Sequence, residues 1–341
     1  MQDTIYALST PAGRGGVAVI RVSGPAAWDG LAALTPHHPL PEPRKASTRT
    51  LVHPSTGDML DHAMVIGFRA PASFTGEDCV EYHVHGGPAI VDGMLKALAS
   101  RPYHRLAEPG EFTRRAFEHG KMDLTAAEAV ADLIHAETES QRLQALKQMD
   151  GAIFRLYEGW KERIARLLAL MEADLDFSDQ DLPDDLLLKV RPDVSDIMDE
   201  IWVHLHDGRR GELLRDGFRL VILGAPNAGK SSLLNRLVQR DAAIVSPIAG
   251  TTRDVIDVHL NLGGFPVILA DTAGLRPDQL SDAQQGYDSI EMEGINRAMR
   301  RAEEADLKVL VFDGTCAPDP HTLALVDDKS VVVINKIDQI D

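Results

Sequence analysis

The spacing of hydrophobic and polar positions changes twice along the chain. Over the first 120 or so residues, apolar positions come in short β-rich runs at Thr4 to Ser9, Gly16 to Val22, Ala63 to Phe68 and Cys79 to Val84. Glycine and proline punctuate them at Pro11-Ala12-Gly13-Arg14-Gly15-Gly16, Pro25, Pro36 to Pro43 and Pro71, which predicts an α+β domain. From Leu124 to about Arg215 the period becomes helical. Ala126, Ala127, Val130, Leu133 and Ile134 fall on one face, as do Ile164, Leu167, Leu168 and Met171. The acidic stretch Asp174 to Pro183 interrupts this pattern, which resumes from Leu186 to Leu214. It reads as a solvated connector, with a basic partner surface as the alternative. Beyond Arg215 continuous apolar runs return at Phe218 to Leu223, Phe265 to Ala270 and Val331 to Ile334, with a helical pattern from Ser232. The expected architecture is therefore multidomain, α/β and α+β: residues 1–120 an α+β domain, 121–215 a helical bundle, and 216–341 an α/β domain inserted near Arg215.

Three motifs in the last region carry chemistry. Gly224-Ala225-Pro226-Asn227-Ala228-Gly229-Lys230-Ser231 lies between a strand pattern and a helical one, followed by Ser232. The glycines let successive N–H groups turn onto a β-phosphate, Lys230 adds a point charge, and the Ser231 hydroxyl is placed for Mg²⁺. Asp271-Thr272-Ala273-Gly274 ends the second apolar run, where an acid reaches the Mg²⁺ through water and the glycine N–H approaches a γ-phosphate. Asn335-Lys336-Ile337-Asp338 ends the third. The Asp338 carboxylate would accept N1–H and the 2-amino group of guanine, and adenine offers neither donor there. A site built on such bonds rejects an analogue lacking them by roughly 10⁴ to 10⁵, so the expected nucleotide is GTP. The intervening Ser246-Pro247-Ile248-Ala249-Gly250-Thr251-Thr252-Arg253-Asp254 reads as switch I, with Thr252 the second Mg²⁺ ligand.

The position after Asp-x-x-Gly, where many GTPases orient the attacking water with Gln, holds Leu275. Its side chain makes no hydrogen bond, so another group must position the water. Here the chain resembles the MnmE (TrmE) family of tRNA-modification GTPases, through Pro-Asn-x-Gly-Lys-Ser-Ser, Ile-Ala-Gly-Thr-Thr-Arg-Asp and Asp-Thr-Ala-Gly-Leu-Arg. The likeness extends to the N-terminal words Thr75-Gly76-Glu77-Asp78 running to His85-Gly86-Gly87-Pro88, and Pro109-Gly110-Glu111-Phe112-Thr113 running to Ala116-Phe117. The resemblance implies a K⁺ ion held by the Asn227 side chain, Ser246, the Ile248 carbonyl and Thr251 when two GTPase domains meet. It implies Glu291 as the water-activating carboxylate, although an extra segment, roughly Pro277 to Tyr287, leaves Glu293 a competitor. It also implies an N-terminal domain that dimerises and binds 5-formyl- or methylene-tetrahydrofolate through Arg21, Glu81 and Lys121. A carboxylate such as Glu81 suits the 2-aminopyrimidinone edge of a pterin, and the cations suit carbonyl or glutamate oxygens. His85 and Gly86-Gly87 read as a tight loop.

The family resemblance implies a function: with the FAD-dependent partner MnmG, forming a heterotetramer, such a GTPase builds aminomethyl or carboxymethylaminomethyl groups at C5 of uridine 34 of certain tRNAs. The contrasting class is a regulatory or ribosome-assembly switch, for which a KH module or second GTPase domain is expected, and residues 1–341 read as neither. A third is a folate-dependent aminomethyl transferase, in which the GTPase domain has no role. The family pattern continues past the last residue, Asp341, with a further strand, returning helices and a Cys-x-Gly-Lys tail, so a longer working form is expected.

Composition narrows the setting. A net charge of −17 argues against bulk electrostatic binding of nucleic acid, so an RNA substrate would need a local basic patch or a partner. Two cysteines, Cys79 and Cys316, suggest neither a disulfide framework nor a zinc site. No apolar run reaches the ~18 residues of a membrane span and no signal sequence opens the chain, so a cytoplasmic protein is expected.

Overall fold

The structure, a computed structural model, describes residues 3–176, 186–207, 209–240, 258–269 and 303–340. These cluster into two compact units that divide between Val130 and Ala131.

The first unit is built on a six-stranded sheet of β1 (Thr4–Leu8), β2 (Gly15–Ser23), β3 (Ser47–Val52), β4 (Met59–Phe68), β5 (Cys79–Gly86) and β6 (His104–Leu106). Its order is β3-β4-β5-β2-β1-β6, antiparallel throughout except for the parallel β1–β6 pair. Alternation along the strands puts Ala18, Ile20 and Val22 of β2, and Val80, Tyr82 and Val84 of β5, on one face. There they pack against Trp28, Leu31 and Leu34 of α1 (Ala27–Leu34) and Met94 and Leu98 of α2 (Pro88–Ala99). Gly67 of β4 lies under the Trp28 ring, and a methyl group at that position would come within 2.5 Å of it. Arg21, Glu81 and His83 occupy the intervening positions and lie on the opposite face.

A buried ion network ties two of the N-terminal sequence words together. Arg115, on α3 (Glu111–Glu118), donates to Glu77 at 3.1 and 3.2 Å and to Glu111 at 3.0 Å. Arg105 adds two bonds to Glu111 at 2.6 and 2.9 Å, and Ser23 donates to Glu77 at 2.7 Å. The Arg105 pair, helped by the Glu108 N–H and Arg115, holds the Glu111 carboxyl at about 2 despite its burial.

Helices then follow as α4 (Leu124–His135), α5 (Glu139–Met149), α6 (Ala152–Asp176), α7 (Leu186–Leu205) and α8 (Arg210–Asp216). Thr138 caps α5 in a reciprocal pair with Gln141. Leu167 of α6 is buried against Val190 and Ile197 of α7, but Ile164, Leu168 and Met171 are exposed. The predicted apolar face is thus wider than the seam that α6 and α7 bury.

The second sheet comprises β7 (Phe218–Leu223), β8 (Val258–Leu262), β9 (Phe265–Leu269), β10 (Leu307–Asp313) and β11 (Ser330–Asn335), in the order β11-β10-β7-β9-β8. All neighbours are parallel except the β8–β9 hairpin. The central strands β7, β9 and β10 are largely buried, in keeping with their near-continuous apolar runs, whereas Val331, Val332 and Ile334 of β11 are exposed. Leu220, Val267, Val309 and Val311 pack on one side with Leu234 of α9 (Lys230–Arg240), and Val221, Leu223, Leu310 and Phe312 on the other. The Gly264 carbonyl at the hairpin tip accepts from the Ser140 hydroxyl (2.7 Å) and N–H (3.2 Å) in the first turn of α5.

Candidate functional site

The phosphate-loop motif spans the turn from β7 into α9, and close packing explains its glycines. The Val311 carbonyl of β10 occupies the place a side chain on Gly224 would need, and the Asn335 amide does the same at Gly229, where φ is +103°. Asn227 adopts a left-handed φ of 64°, which Asn tolerates better than most residues. Lys230 is half-buried and donates to the carbonyls of Gly224 and Ala225, each at 2.8 Å. Burial pushes its pKa below the usual lysine value. Ala228 is buried, whereas Asn227 and the adjacent Ser231 and Ser232 are exposed where α9 begins.

The third motif is brought to the same loop. Asn335 Nδ2 donates to the Ala228 carbonyl at 2.9 Å, and its own carbonyl accepts from Gly314 at 2.9 Å. Lys336 has a left-handed φ of 59°, and its ammonium reaches Asp313 Oδ2 at 2.6 Å. Lys336, followed by the Thr315 hydroxyl and N–H, holds the Asp313 carboxyl at about 2. Asp338 is exposed in a short turn over Ile337–Gln339. Sequence reasoning missed Asp313, which ends β10, because Lys308 breaks the apolar run of that strand.

Ser246, Ile248, Thr251, Thr252, Asp271, Thr272, Ala273, Gly274, Leu275, Glu291 and Glu293 lie outside the described residues.

In the first unit Arg21, Glu81 and Lys121 line one cleft of about 280 Å³, with Arg44, Phe74 and Cys79. Arg21 and Glu81 are cross-strand partners joined at 2.8 Å, so Glu81 is already paired. The Arg21 guanidinium sits 5.0 Å from the Phe74 ring centre and 5.8 Å from that of Phe112. Lys121 donates to the Pro71 carbonyl at 3.0 Å. The expected loop at His85-Gly86-Gly87 is instead the end of β5 followed by the cap of α2, because β5 keeps its pairing to β2 as far as Gly86. His85 is exposed and its Nδ1 lies 2.8 Å from the buried Asp61. Among the described residues no group of three His, Cys, Asp or Glu side chains is placed to hold a metal, and no helix is long and apolar enough to cross a membrane.

The family model for the GTP-binding protein TrmE N-terminus matches residues 4–121, and that for the MnmE helical domain matches residues 124–332. The chain belongs to the MnmE (TrmE) family. Among its relatives, the tRNA modification GTPase MnmE of Parvibaculum lavamentivorans is 53% identical over 336 residues, covering 98% of this chain and 75% of that protein. The MnmE of Paramagnetospirillum magneticum is 53% identical over 343 residues, covering 99% and 75%. A mitochondrial relative in Danio rerio, the 5-taurinomethyluridine-[tRNA] synthase subunit GTPB3, is 53% identical over 317 residues, covering 93% and 61%. The MnmE helical match extends on both sides of Arg215 and takes in the phosphate loop.

Proposed function

We propose that this chain is a K⁺-dependent GTP hydrolase of tRNA wobble-uridine modification. The observation that carries the reading is the bond from Asn335 to the Ala228 carbonyl, which joins the guanine-reading turn to the phosphate loop. Lys230 exchanges two loop carbonyls for phosphate oxygens when nucleotide enters, and Asp338 accepts from guanine. Ser231 and Thr252 would hold Mg²⁺, and Asn227, Ser246, Ile248 and Thr251 would hold K⁺, since oxygen-only donors suit hard cations. Glu291 is assigned the attacking water, ahead of Glu293. Division into residues 1–120, 121–215 and 216–341 separates the folate, helical and nucleotide roles. In the first unit, Arg21, Glu81 and Lys121 would take the tetrahydrofolate that supplies the one-carbon unit, in a homodimer acting with MnmG on tRNA. The cleft's paired charges and aromatic walls support a flat, polar-edged ligand of that kind.

Two measurements test this. Mass spectrometry of uridine 34 in tRNA from a strain lacking the gene should show the C5 modification lost, and an unchanged nucleoside profile would refute the assignment. GTP turnover should be faster in KCl than in NaCl, and Asn227→Ala should lose that difference while still binding GTP. Equal turnover in the two salts would remove K⁺ from the mechanism.

A further inference from the structure

Strands β10 and β11 pair in parallel so that Asp313 stands opposite Asn335 at the carboxyl ends of both. The turn after β11 must present the Asp338 carboxylate with both oxygens free, because guanine offers two donors to it. Lys336 threatens that arrangement. It precedes Asp338 by two residues in the sequence and carries its charge on a long flexible stem, and an opposite charge that closed on the carboxylate would compete for it.

In the structure the lysine is directed elsewhere. Asp313 Oδ2 takes the ammonium at 2.6 Å, while Oδ1 is fixed by the Thr315 hydroxyl at 2.6 Å and the Thr315 N–H at 3.0 Å. Thr315 thus fixes the orientation of the carboxylate that takes the ammonium. The pair is partly shielded, with side-chain exposures of 30% for Lys336 and 17% for Asp313. The turn is held on its other side by Asn335 bonded to Ala228, and the Gly314 N–H bonds the Asn335 carbonyl.

We propose that Asp313 is a positioning residue for base recognition, which draws Lys336 away from Asp338 and so leaves that carboxylate free to read guanine. This rests on the GTP reading above. Asp313 touches neither base nor phosphate and acts only through Lys336. Asp313→Asn keeps an oxygen for Thr315 but turns an NH₂ donor toward the ammonium, releasing it toward Asp338.

The test is binding of GDP, inosine diphosphate and ADP to the full chain, by competition against a fluorescent guanine nucleotide. Inosine lacks the 2-amino group, so the ratio of GDP to inosine-diphosphate affinity reports one of the two bonds to Asp338. Wild type should favour GDP by about tenfold or more, and Asp313→Asn should bring the ratio close to one. A role in folding alone would leave the ratio unchanged. In a Lys336→Met background, Asp313→Asn should cause no further loss. Should Asp313→Asn fail to fold, Thr315→Ala, which only loosens the acceptor, should lower the ratio part of the way. An unchanged ratio in a folded Asp313→Asn or Thr315→Ala protein, or an equal loss with and without Lys336, would overturn the proposal. Wild type binding ADP as tightly as GDP would instead overturn the GTP reading itself.

Discussion

Arg115 in the first unit and Lys230 in the second are both cations drawn out of full solvent contact, and they are satisfied in opposite ways. Arg115 is 5% exposed and spends its donors on two carboxylates and the Asp3 carbonyl, all of them permanent parts of the fold. Lys230 has no carboxylate partner among the described residues and rests on two carbonyls of its own loop. A buried charge matched by fixed counter-charges leaves nothing for a ligand, whereas one held by neutral dipoles gains when an anion arrives. On the proposed function, the contrast separates charges that hold the architecture from charges that wait for a substrate. On that same reading the family-signature residues divide as well, with Glu77 and Glu111 on the architectural side and Lys230 and Asp338 assigned to the ligand side.

The largest effect expected from breaking this contrast is at Asp338. Asp338→Asn exchanges an acceptor for a donor, and competition binding should show a swing of roughly 10⁴ from guanosine toward xanthosine triphosphate. The thermal midpoint without nucleotide should not move. Arg115→Met should do the reverse. Leaving Glu77 and Glu111 without their shared cation should cost about 3–5 kcal/mol in urea unfolding of the first unit, with GTP affinity unchanged. A loss of GTP binding in that variant would show that the division of roles is wrong.

Arg21 stands between the two classes, paired with Glu81 yet lining a cleft. Arg21→Ala should weaken 5-formyl-tetrahydrofolate binding, measured by calorimetry, by roughly 10- to 100-fold, the range of a lost charge-assisted bond. Unaltered binding would place Arg21 among the architectural charges.

The smallest effect is in the pH dependence. Glu111 titrates at about 2 in the fold against 4.5 for an ordinary glutamate, chiefly because of Arg105. A depressed carboxylate stabilises the fold fully above its unfolded pKa and loses that contribution as pH falls through the folded value. Wild type should therefore lose stability between about pH 5 and 2 more steeply than Glu111→Gln. Parallel curves would assign acid unfolding to other groups.

Much of this was legible in the sequence where partners are neighbours in the chain. The phosphate loop and the four N-terminal strands follow from local periodicity and punctuation, and observed strand ends lie within a few residues of the predicted ones. β10 was harder to read because Lys308 interrupts its apolar pattern, and that lysine is buried only by virtue of Asp327 and the Leu325 carbonyl. β3 opens with Ser-Thr-Arg-Thr, a polar face that carries no strand signal of its own. Arg115 and Glu77 are 38 residues apart, and Lys336 and Asp313 are 23 apart. Neither pairing leaves a trace in spacing, because tertiary folding rather than helical or strand period brings them together.

The unbroken ladder from Lys308 opposite Ser330 to Asp313 opposite Asn335 acts as a gauge for chain length. Deleting one residue inside β11 would slide the following positions by ~3.3 Å and turn each side chain to the other face, withdrawing Asn335 from the phosphate loop. The connection between the two strands carries no such constraint at Ala317 and Pro318, which are exposed. A reporter peptide grafted there is expected to leave base choice intact, whereas a shift of one residue in β11 would abolish it.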